Sequence, residues 1–461
     1  MALWIPQPIE TVEQDPARTI GLPERRDDEP GDLTDLAIEV SNEPLPADTS
    51  SETTIYPITL DVVLQLSKDQ ALSIHMARQR LDAAVATQQI ATSAFLPTIG
   101  PRIDYARTDG AAQETDGTVV DVSKNSLFTG MELRFDLDPW GDWHRHQAAR
   151  GQFEATEQML YWAEQFAIHR GAQLFHELVR SHGEIEIAER AVRFGRQLAL
   201  TASARLDAGD GLREDFLGAL AKEAAADRDL ALAQSHAQIA SVKLAEFLVL
   251  SDDPSFDPFL VPVSTQITPN RFALDPSNVA QLIQRGLDRR PDLMAARARA
   301  ESARSLSRAS SAWGRPTISA RSRVGRFGAD SADLSDQETA EVAVGWQFGL
   351  AATASHRRAV AAFEEIQLKV KKLELRIIAQ IRVSLARLQA SRSAMTAAQR
   401  QLEAGEEAMT LIDSRYKAGA ALLEELLGRE ADLAAARTAS LNSIVSHNQA
   451  QFDLMLAVGG P

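Results

Sequence analysis

The sequence contains no cysteine among its 461 residues. This absence excludes disulfide bonds, thiolate catalysis, cysteine-ligated metal sites and a lipid-modified cysteine. Long hydrophobic runs are missing as well, because no stretch approaches the roughly 18 apolar residues of a membrane-spanning helix. If the protein meets a bilayer, it does so with strands or with its surface.

Positive charge is also scarce. The formal net charge is −16, so the chain lacks the basic footprint of a nucleic-acid-binding protein and no nucleic-acid partner is expected. The first 55 residues supply most of the excess, with 13 acidic residues against 3 basic ones, and they contain seven prolines. Residues 1–56 are therefore predicted to form a disordered acidic tail.

That tail does not begin like a signal peptide. Its first five residues are too short an apolar run, and no basic segment precedes them. Taken alone, this favours a cytoplasmic protein. The stronger signals described below favour a native start that lies upstream or was trimmed.

Motifs that carry chemistry are absent too. The sequence has no nucleophile elbow, phosphate-binding glycine loop, zinc-binding helix or paired catalytic carboxylates, so we expect no enzymatic activity, no cofactor and no metal. His144 and His146 lie near Asp142, but residues two apart on a helix point in different directions, which argues against a joint metal site.

What the chain does contain is an internal duplication. Residues 60–250 and 272–460 carry the same succession of signals. Three anchors match at offsets of 219, 213 and 210 residues: Ala77-Arg78-x-Arg80 with Ala296-Arg297-x-Arg299, Phe135-Asp136-Leu137 with Phe348-Gly349-Leu350, and Arg205-Leu206-Asp207-Ala208-Gly209 with Arg415-Tyr416-Lys417-Ala418-Gly419. A unit of about 200 residues is too long for a solenoid repeat. We therefore expect two similar halves, 57–255 and 272–461, joined by a linker at 256–271.

Each half is dominated by helix-forming sequence. No proline occurs in residues 140–253 or 317–460, and both spans are dense in Ala, Leu, Glu, Gln and Arg. Residues 140–206 are predicted to form one helix of roughly 100 Å. Such a length indicates coiled-coil-like packing.

The helical pattern fails once in each half, at the same place. Apolar residues alternate with polar or small ones at Leu127 to Leu137 and at Val342 to Phe348, which is the period of a β-strand. Each segment has an upstream mate, near Ile99 and Ile318, across the Gly/Asp/Ser-rich stretches 108–117 and 325–336. Each half is thus predicted to contain a β-hairpin with a long loop, at about 98–137 and 317–350.

These strands have two interpretations. Their length of about 10 residues and single apolar face are typical of transmembrane β-strands, but a soluble hairpin with one buried face has the same pattern. Four strands cannot close a barrel alone. If they span a membrane, several chains must share one barrel.

Four local patterns in the correct order now resemble the TolC family of outer-membrane efflux and secretion channels. They are Arg290-Pro291-Asp292-Leu293 with Ala296, Pro316 at a helix-to-strand entry, Asp138-Pro139-Trp140-Gly141 after the first hairpin, and Tyr416-Lys417-Ala418-Gly419 at a helical turn. The resemblance covers about residues 57–460. The chain departs from it at Ala71-Leu72, at Leu206 and at Gly349-Leu350-Ala351.

The resemblance implies a mainly α fold with inserted β-hairpins. Duplicated long-helix hairpins would form a trimeric α-barrel in the periplasm, below a transmembrane β-barrel in the outer membrane to which each chain gives four strands. The implied partners are two further copies of the chain, outer-membrane lipid, a periplasmic adaptor and an inner-membrane pump of the RND or ABC type. Small molecules or secreted proteins would pass through such a duct, in tripartite efflux or type I secretion.

Residues at the bends are the candidate functional residues. Pro97 and Pro316 lack the amide hydrogen that a helix needs and are predicted to switch helix to strand. Gly209 and Gly419 are expected in the left-handed conformation that ends a helix at a periplasmic tip. Trp140 and Trp143 fit aromatic anchors at a membrane interface, with core packing as the alternative.

The tips carry charges of both signs. The acidic pairs Glu214-Asp215 and Glu424-Glu425 follow the two turns, where carboxylates are favourable partners of a helix dipole. Tripled in a trimer, they would form an acidic collar at the tunnel mouth. Arg205 and Arg415 precede the turns, next to Leu206 and Tyr416; they are either solvated cations or contacts to carboxylates or to an adaptor.

The leading hypothesis is an outer-membrane channel that extends into the periplasm. The alternative is a soluble coiled-coil scaffold or adaptor-like periplasmic protein with β-hairpin inserts. The absent signal peptide favours the scaffold, whereas the amphipathic strand pairs and the ordered motifs favour the channel.

Overall fold

The structure is a computed structural model that describes residues 55–113, 115, 117–209, 211–250, 259–263, 278–311, 314–346 and 350–460. The predicted acidic tail, apart from its last two residues, lies outside this set. Most of the predicted linker and Phe348 lie outside it as well.

The two halves have the same order of elements. The first half contains β1 (Ile55–Ile58), α1 (Leu60–Asp69), α2 (Leu72–Ser93), β2 (Thr98–Gln113), β3 (Val119–Leu137), α3 (Pro139–Asp207) and α4 (Arg213–Leu248). The second half contains β4 (Phe259–Pro262), α5 (Val279–Arg289), α6 (Pro291–Ala309), β5 (Pro316–Gly328), β6 (Leu334–Trp346), α7 (Leu350–Lys417) and α8 (Leu423–Ala457).

The long helices are uninterrupted, as predicted. Helix α3 has 69 residues and α7 has 68, so each extends for about 100 Å. Asp138 caps the start of α3 by accepting a hydrogen bond from the Gly141 amide at 2.9 Å, and Pro139 occupies the first turn, where its missing amide hydrogen is harmless.

Each long helix packs against the helix that follows it. Helix α4 buries four alanines at seven-residue intervals, Ala219, Ala226, Ala233 and Ala240. Small residues at this spacing let the partner helix approach closely along a coiled-coil-like seam. Helices α3 and α4 form one such pair, and α7 and α8 form the other.

The hairpins join into one antiparallel sheet with the order β2-β3-β5-β6. Strands β3 and β5, one from each half, pair from Leu127 opposite Gly328 to Leu137 opposite Ile318. Strands β2 and β6 are therefore the edges of the sheet within the described chain.

The prediction of a long loop in each hairpin was wrong, because the strands extend into those segments. Strand β2 continues to Gln113 and β3 starts at Val119, while β5 continues to Gly328 and β6 starts at Leu334. Main-chain hydrogen bonds hold these extensions in register, and such bonds need no apolar side chain. The Gly/Asp/Ser-rich composition therefore marks polar strand ends and not long loops.

A second correction concerns the linker. Residues 259–262, inside the predicted linker, form β4, which pairs in parallel with β1. The pair is packed by tertiary contacts, since Ile58 and Leu260 are buried and the Leu260 amide donates to Ser241 Oγ at 2.7 Å. Two four-residue strands are too short to produce a periodic signal.

Candidate functional site

The four-stranded sheet has one apolar face. Antiparallel partners share a face, and the register places these apolar residues together: Ile99, Ile103, Tyr105, Leu127, Met131, Leu133, Phe135, Ile318, Val324, Val342, Val344 and Trp346. Most of their side chains are exposed or half-exposed, and Ile103 reaches 74%. No element of the described chain covers this face, so it needs an apolar environment from outside the chain.

The opposite face carries a network of charges. Glu132, only 9% exposed, accepts hydrogen bonds from Arg102 at 3.1 Å and from Arg323 at 2.8 Å. Arg102 also pairs with Asp104 at 2.6 Å, and Arg321 lies 4.0 Å from Glu132. The network connects β2, β3 and β5, and it shows that this face is polar.

Along the strands, the apolar band ends where charged residues begin on the same face. Beyond Tyr105 on the same face, Arg107 pairs with Asp109 at 2.6 Å, and beyond Val324, Arg326 lies 3.5 Å from Asp336. The band spans seven residues on β2 and on β5, nine on β3 and five on β6. This one-sided apolar pattern is typical of transmembrane β-strands.

The predicted helix-to-strand switches lie at the helix ends of the sheet. Pro97 directly precedes β2, four residues after α2 ends, and Pro316 is the first residue of β5. Helices α3 and α7 begin shortly after β3 and β6. All four strands thus connect to helices at the same end of the sheet.

The two tryptophans at this end of the sheet differ in their contacts. The Trp140 indole donates to the Arg308 carbonyl at 3.0 Å, and its ring lies 3.7 Å below the Arg315 guanidinium. Its edge also contacts His144, whose pKa is lowered by burial and by nearby arginines. Trp143 is more exposed, next to His146.

At the far end of the long helices, the two predicted tips are tight turns. Gly209 has φ of +80° and Gly419 has φ of +70°, and open space surrounds the position of a Cβ atom at both. The left-handed conformation favours glycine and lets the chain reverse into α4 and α8.

The tips pack against each other, which the sequence did not indicate. One hydrophobic cluster joins α3, α4, α7 and α8 here, with Leu198, Ala219, Ile412, Tyr416 and Leu426 among its members. Arg205 donates to the Tyr416 carbonyl at 3.0 Å, and its guanidinium lies 4.6 Å from the center of the Tyr416 ring. Arg415 instead donates to Ala420, in its own tip, at 3.2 Å.

The acidic pairs occupy the first turns of α4 and α8. Glu214, Glu424 and Glu425 are exposed, and Asp215 is half-buried. Because the two tips are in contact, all four carboxylates lie at the same end of the chain.

A further acid near the tips was missed. Glu430 is 4% exposed, and burial raises its pKa, against the opposing influence of Arg437 and Lys222. It continues the stripe of Leu423 and Leu426 at helical spacing. A charged residue at an apolar position of a coiled-coil stripe is the signal that could have identified it.

No described group of three or more His, Cys, Asp or Glu residues could hold a metal ion. In the part of the chain that the structure describes, no helix is both long and apolar enough to cross a membrane.

Comparison with known proteins identifies the fold and the family. The sequence profile described as outer membrane efflux protein matches residues 63–248 and 282–460, one segment in each half. The chain belongs to the outer membrane efflux protein family. The resemblance to TolC-type channels is confirmed, and the channel hypothesis is supported over the soluble scaffold.

Individual relatives are distant. The outer membrane efflux protein BepC of Brucella suis is 23% identical over 375 residues, which is 80% of this chain and 76% of BepC. The CmeC outer-membrane channel of Campylobacter jejuni has a TM-score of 0.77 at 17% identity, covering 87% of this chain and 85% of CmeC. The open-state MtrE channel of Neisseria gonorrhoeae has a TM-score of 0.72 at 20% identity, covering 87% and 89%.

As an outer membrane efflux protein, the chain has the TolC-like fold that was predicted, with long helical hairpins and an inserted four-stranded sheet. Members of this family are channels of the Gram-negative outer membrane, which form trimers and work with adaptors and inner-membrane pumps.

Proposed function

We propose that three copies of this chain assemble into one duct, which exports substrates across the outer membrane without chemical change. The observation that carries the proposal is the four-stranded sheet, which has an apolar face, a charged face and two open edges. Unpaired strand edges favour pairing with another strand, and β2 and β6 of a second copy supply edges of similar length, 16 and 13 residues. Pairing β6 of one copy with β2 of the next closes a barrel of 12 strands.

In this barrel, the apolar face contacts lipid, and the network around Glu132 lines the water-filled lumen. Trp140 and Trp143 lie at the periplasmic interface of the membrane. The long helices continue the duct into the periplasm for about 100 Å. The acidic tips form its far mouth, where a periplasmic adaptor and an inner-membrane pump of the RND or ABC type engage it.

Mass measurement in detergent tests the assembly. We expect three chains per particle, and ion conductance after reconstitution into planar bilayers. A monodisperse monomer without conductance would contradict the proposal.

A further inference from the structure

A groove with basic walls lies between α6 and α7. Its cavity volume is about 570 Å³. The floor is apolar and the rim is cationic: Ala296, Ile366, Val370 and Leu373 form the floor, and Arg299, Lys369, Lys372 and Arg376 form the rim. We call it the basic groove.

The duplication supplies a matched groove in the first half, between α2 and α3. Ala77 and Arg80 stand where Ala296 and Arg299 stand in the second half, 219 residues later, so both grooves contain residues of the first duplication anchor. The α3 side differs, however. Thr156, Met159, Trp162, Ala163 and Phe166 replace Ile366, Lys369, Lys372, Leu373 and Arg376 at an offset of 210. We call this the aromatic groove.

The positive charge of the basic groove is not neutralised locally. Lys369 pairs with Glu365 at 2.7 Å, but Arg299, Lys372 and Arg376 form no ion pair with any residue that the structure describes. Three unpaired cations around one apolar floor are notable in a chain with a net charge of −16. Charge complementarity therefore calls for an anionic occupant with an apolar side.

At the end of the groove that lies toward Ile377, the face of α7 is already covered by a helix, α5. Ile377 and Ile381, one and two turns beyond Leu373, are buried by Leu282 and Gly286 of α5. Val370 and Leu373 pack against that cluster and also line the basic groove. Ile366, Val370 and Leu373 thus extend, at helical spacing, the face on which α5 packs. A second helix fits as its continuation.

Membrane lipid is a poorer occupant. Arg299 lies ten residues before the end of α6, about 15 Å of helix away from the strands and their apolar band. We propose that the basic groove is a docking site for an amphipathic helix with acidic flanks, presented by a partner protein. This inference does not depend on transport through the duct.

Disulfide trapping tests the site in the full chain, because the natural sequence is free of cysteine. The probe is a lactam-bridged peptide with leucines on one face, glutamates on both flanks and a single central cysteine. That cysteine is activated as a disulfide with thionitrobenzoate, which leaves when the protein thiolate attacks, so the mixed disulfide forms without an added oxidant. It is incubated with the Leu373→Cys variant and with the Ala163→Cys variant, the matched position in the aromatic groove. We expect roughly tenfold more mixed disulfide at position 373, reflecting two or three ion pairs.

Charge variants complete the test. Lys372→Glu combined with Arg376→Glu should reduce trapping at Leu373→Cys to the level of the Ala163→Cys control, whereas Arg80→Glu should leave it unchanged. High salt and a lysine-flanked peptide should also abolish it.

Three results would overturn the proposal. One is equal trapping at both grooves, or trapping that the double charge reversal does not change. Another is complete loss of trapping at Leu373→Cys when sodium cholate is added below its micellar concentration, which would make the groove a site for small amphipathic anions. The third is failure of a charged maleimide to label Leu373→Cys in the assembled protein, since a neighbouring copy would then cover the groove.

Discussion

His176 is a buried histidine in the long helix α3. It is 1% exposed, between the rings of Phe175 and Phe452, in the interface of α3 and α8. Neither ring nitrogen makes a hydrogen bond of normal geometry. The backbone carbonyl of Ala172 raises the pKa of the ring by less than burial lowers it. Burial therefore lowers its pKa from 6.5 to about 4.

This shift predicts a loss of stability in acid. Between pH 6.5 and 4 the unfolded chain binds a proton at His176 that the folded chain refuses, so stability is full above 6.5 and falls toward pH 4. From pH 7 to pH 4 the loss from this residue is about 3 kcal/mol per chain. His176→Phe should remove that part of the pH dependence, measured by chemical unfolding at both pH values.

The matched control for this prediction is His236→Phe, because His236 lies exposed on α4. That variant should keep the pH dependence of the natural chain. Identical pH profiles for the two variants would show that the buried imidazole is protonated without cost.

Arg205 makes a second residue-scale prediction. Its hydrogen bond and ring contact to Tyr416 join the two tips, and their loss should cost about 1–2 kcal/mol. Arg205→Ala should therefore speed amide hydrogen exchange in the last turns of α3 and α7 by roughly tenfold. Arg415→Ala removes only a contact within one tip, so its exchange should change far less. Equal effects of both variants would exclude a joining role for Arg205.

At the scale of elements, the strands make the membrane assignment testable. Leu133 and Val344 lie on the apolar face, in β3 and β6. Leu133→Arg or Val344→Arg should each impair assembly by roughly 2–4 kcal/mol if the site lies near the bilayer midplane. The measurement is the yield of folded trimer in liposomes. Thr339→Arg, on the charged face of β6, is the control and should assemble normally.

The same elements show what the sequence could predict. Long helices and the apolar alternation of Leu133 and Phe135 were readable, because their periods persist over many residues. The polar ends of β2 and β5 were not, since main-chain pairing alone extends them. The contact of Arg205 with Tyr416 joins residues 211 positions apart in sequence, and the duplication predicts similar tips without saying that they touch.

At the scale of the molecule, the two halves have kept their backbone and diverged in their surfaces. Helix pairs α2–α3 and α6–α7 form matched grooves, one lined by Met159, Trp162 and Phe166 and the other by Lys369, Lys372 and Arg376. In the proposed trimer the two kinds of groove would alternate around the ring, because each of the three copies would contribute one groove of each kind. A partner of threefold symmetry can therefore distinguish the halves, although their folds are the same.

The tips extend this reasoning to the path of the exported molecules. Threefold assembly would bring twelve carboxylates to one mouth, from Glu214, Asp215, Glu424 and Glu425 of each copy. In a confined mouth with walls of low dielectric constant, like charges raise the local concentration of cations. We therefore expect the channel to prefer cations and to respond to divalent cations.

Single-channel recordings in planar bilayers measure this preference as a reversal potential under a salt gradient. Replacing all four acids by Gln or Asn should weaken cation preference and the response to divalent cations. The control is Glu406→Gln with Glu407→Gln, an exposed acidic pair on α7 about 15 Å of helix before the tip, and it should change neither. Unchanged selectivity in the quadruple variant would mean that the carboxylates serve only the dipoles of α4 and α8, and that selectivity arises elsewhere along the duct.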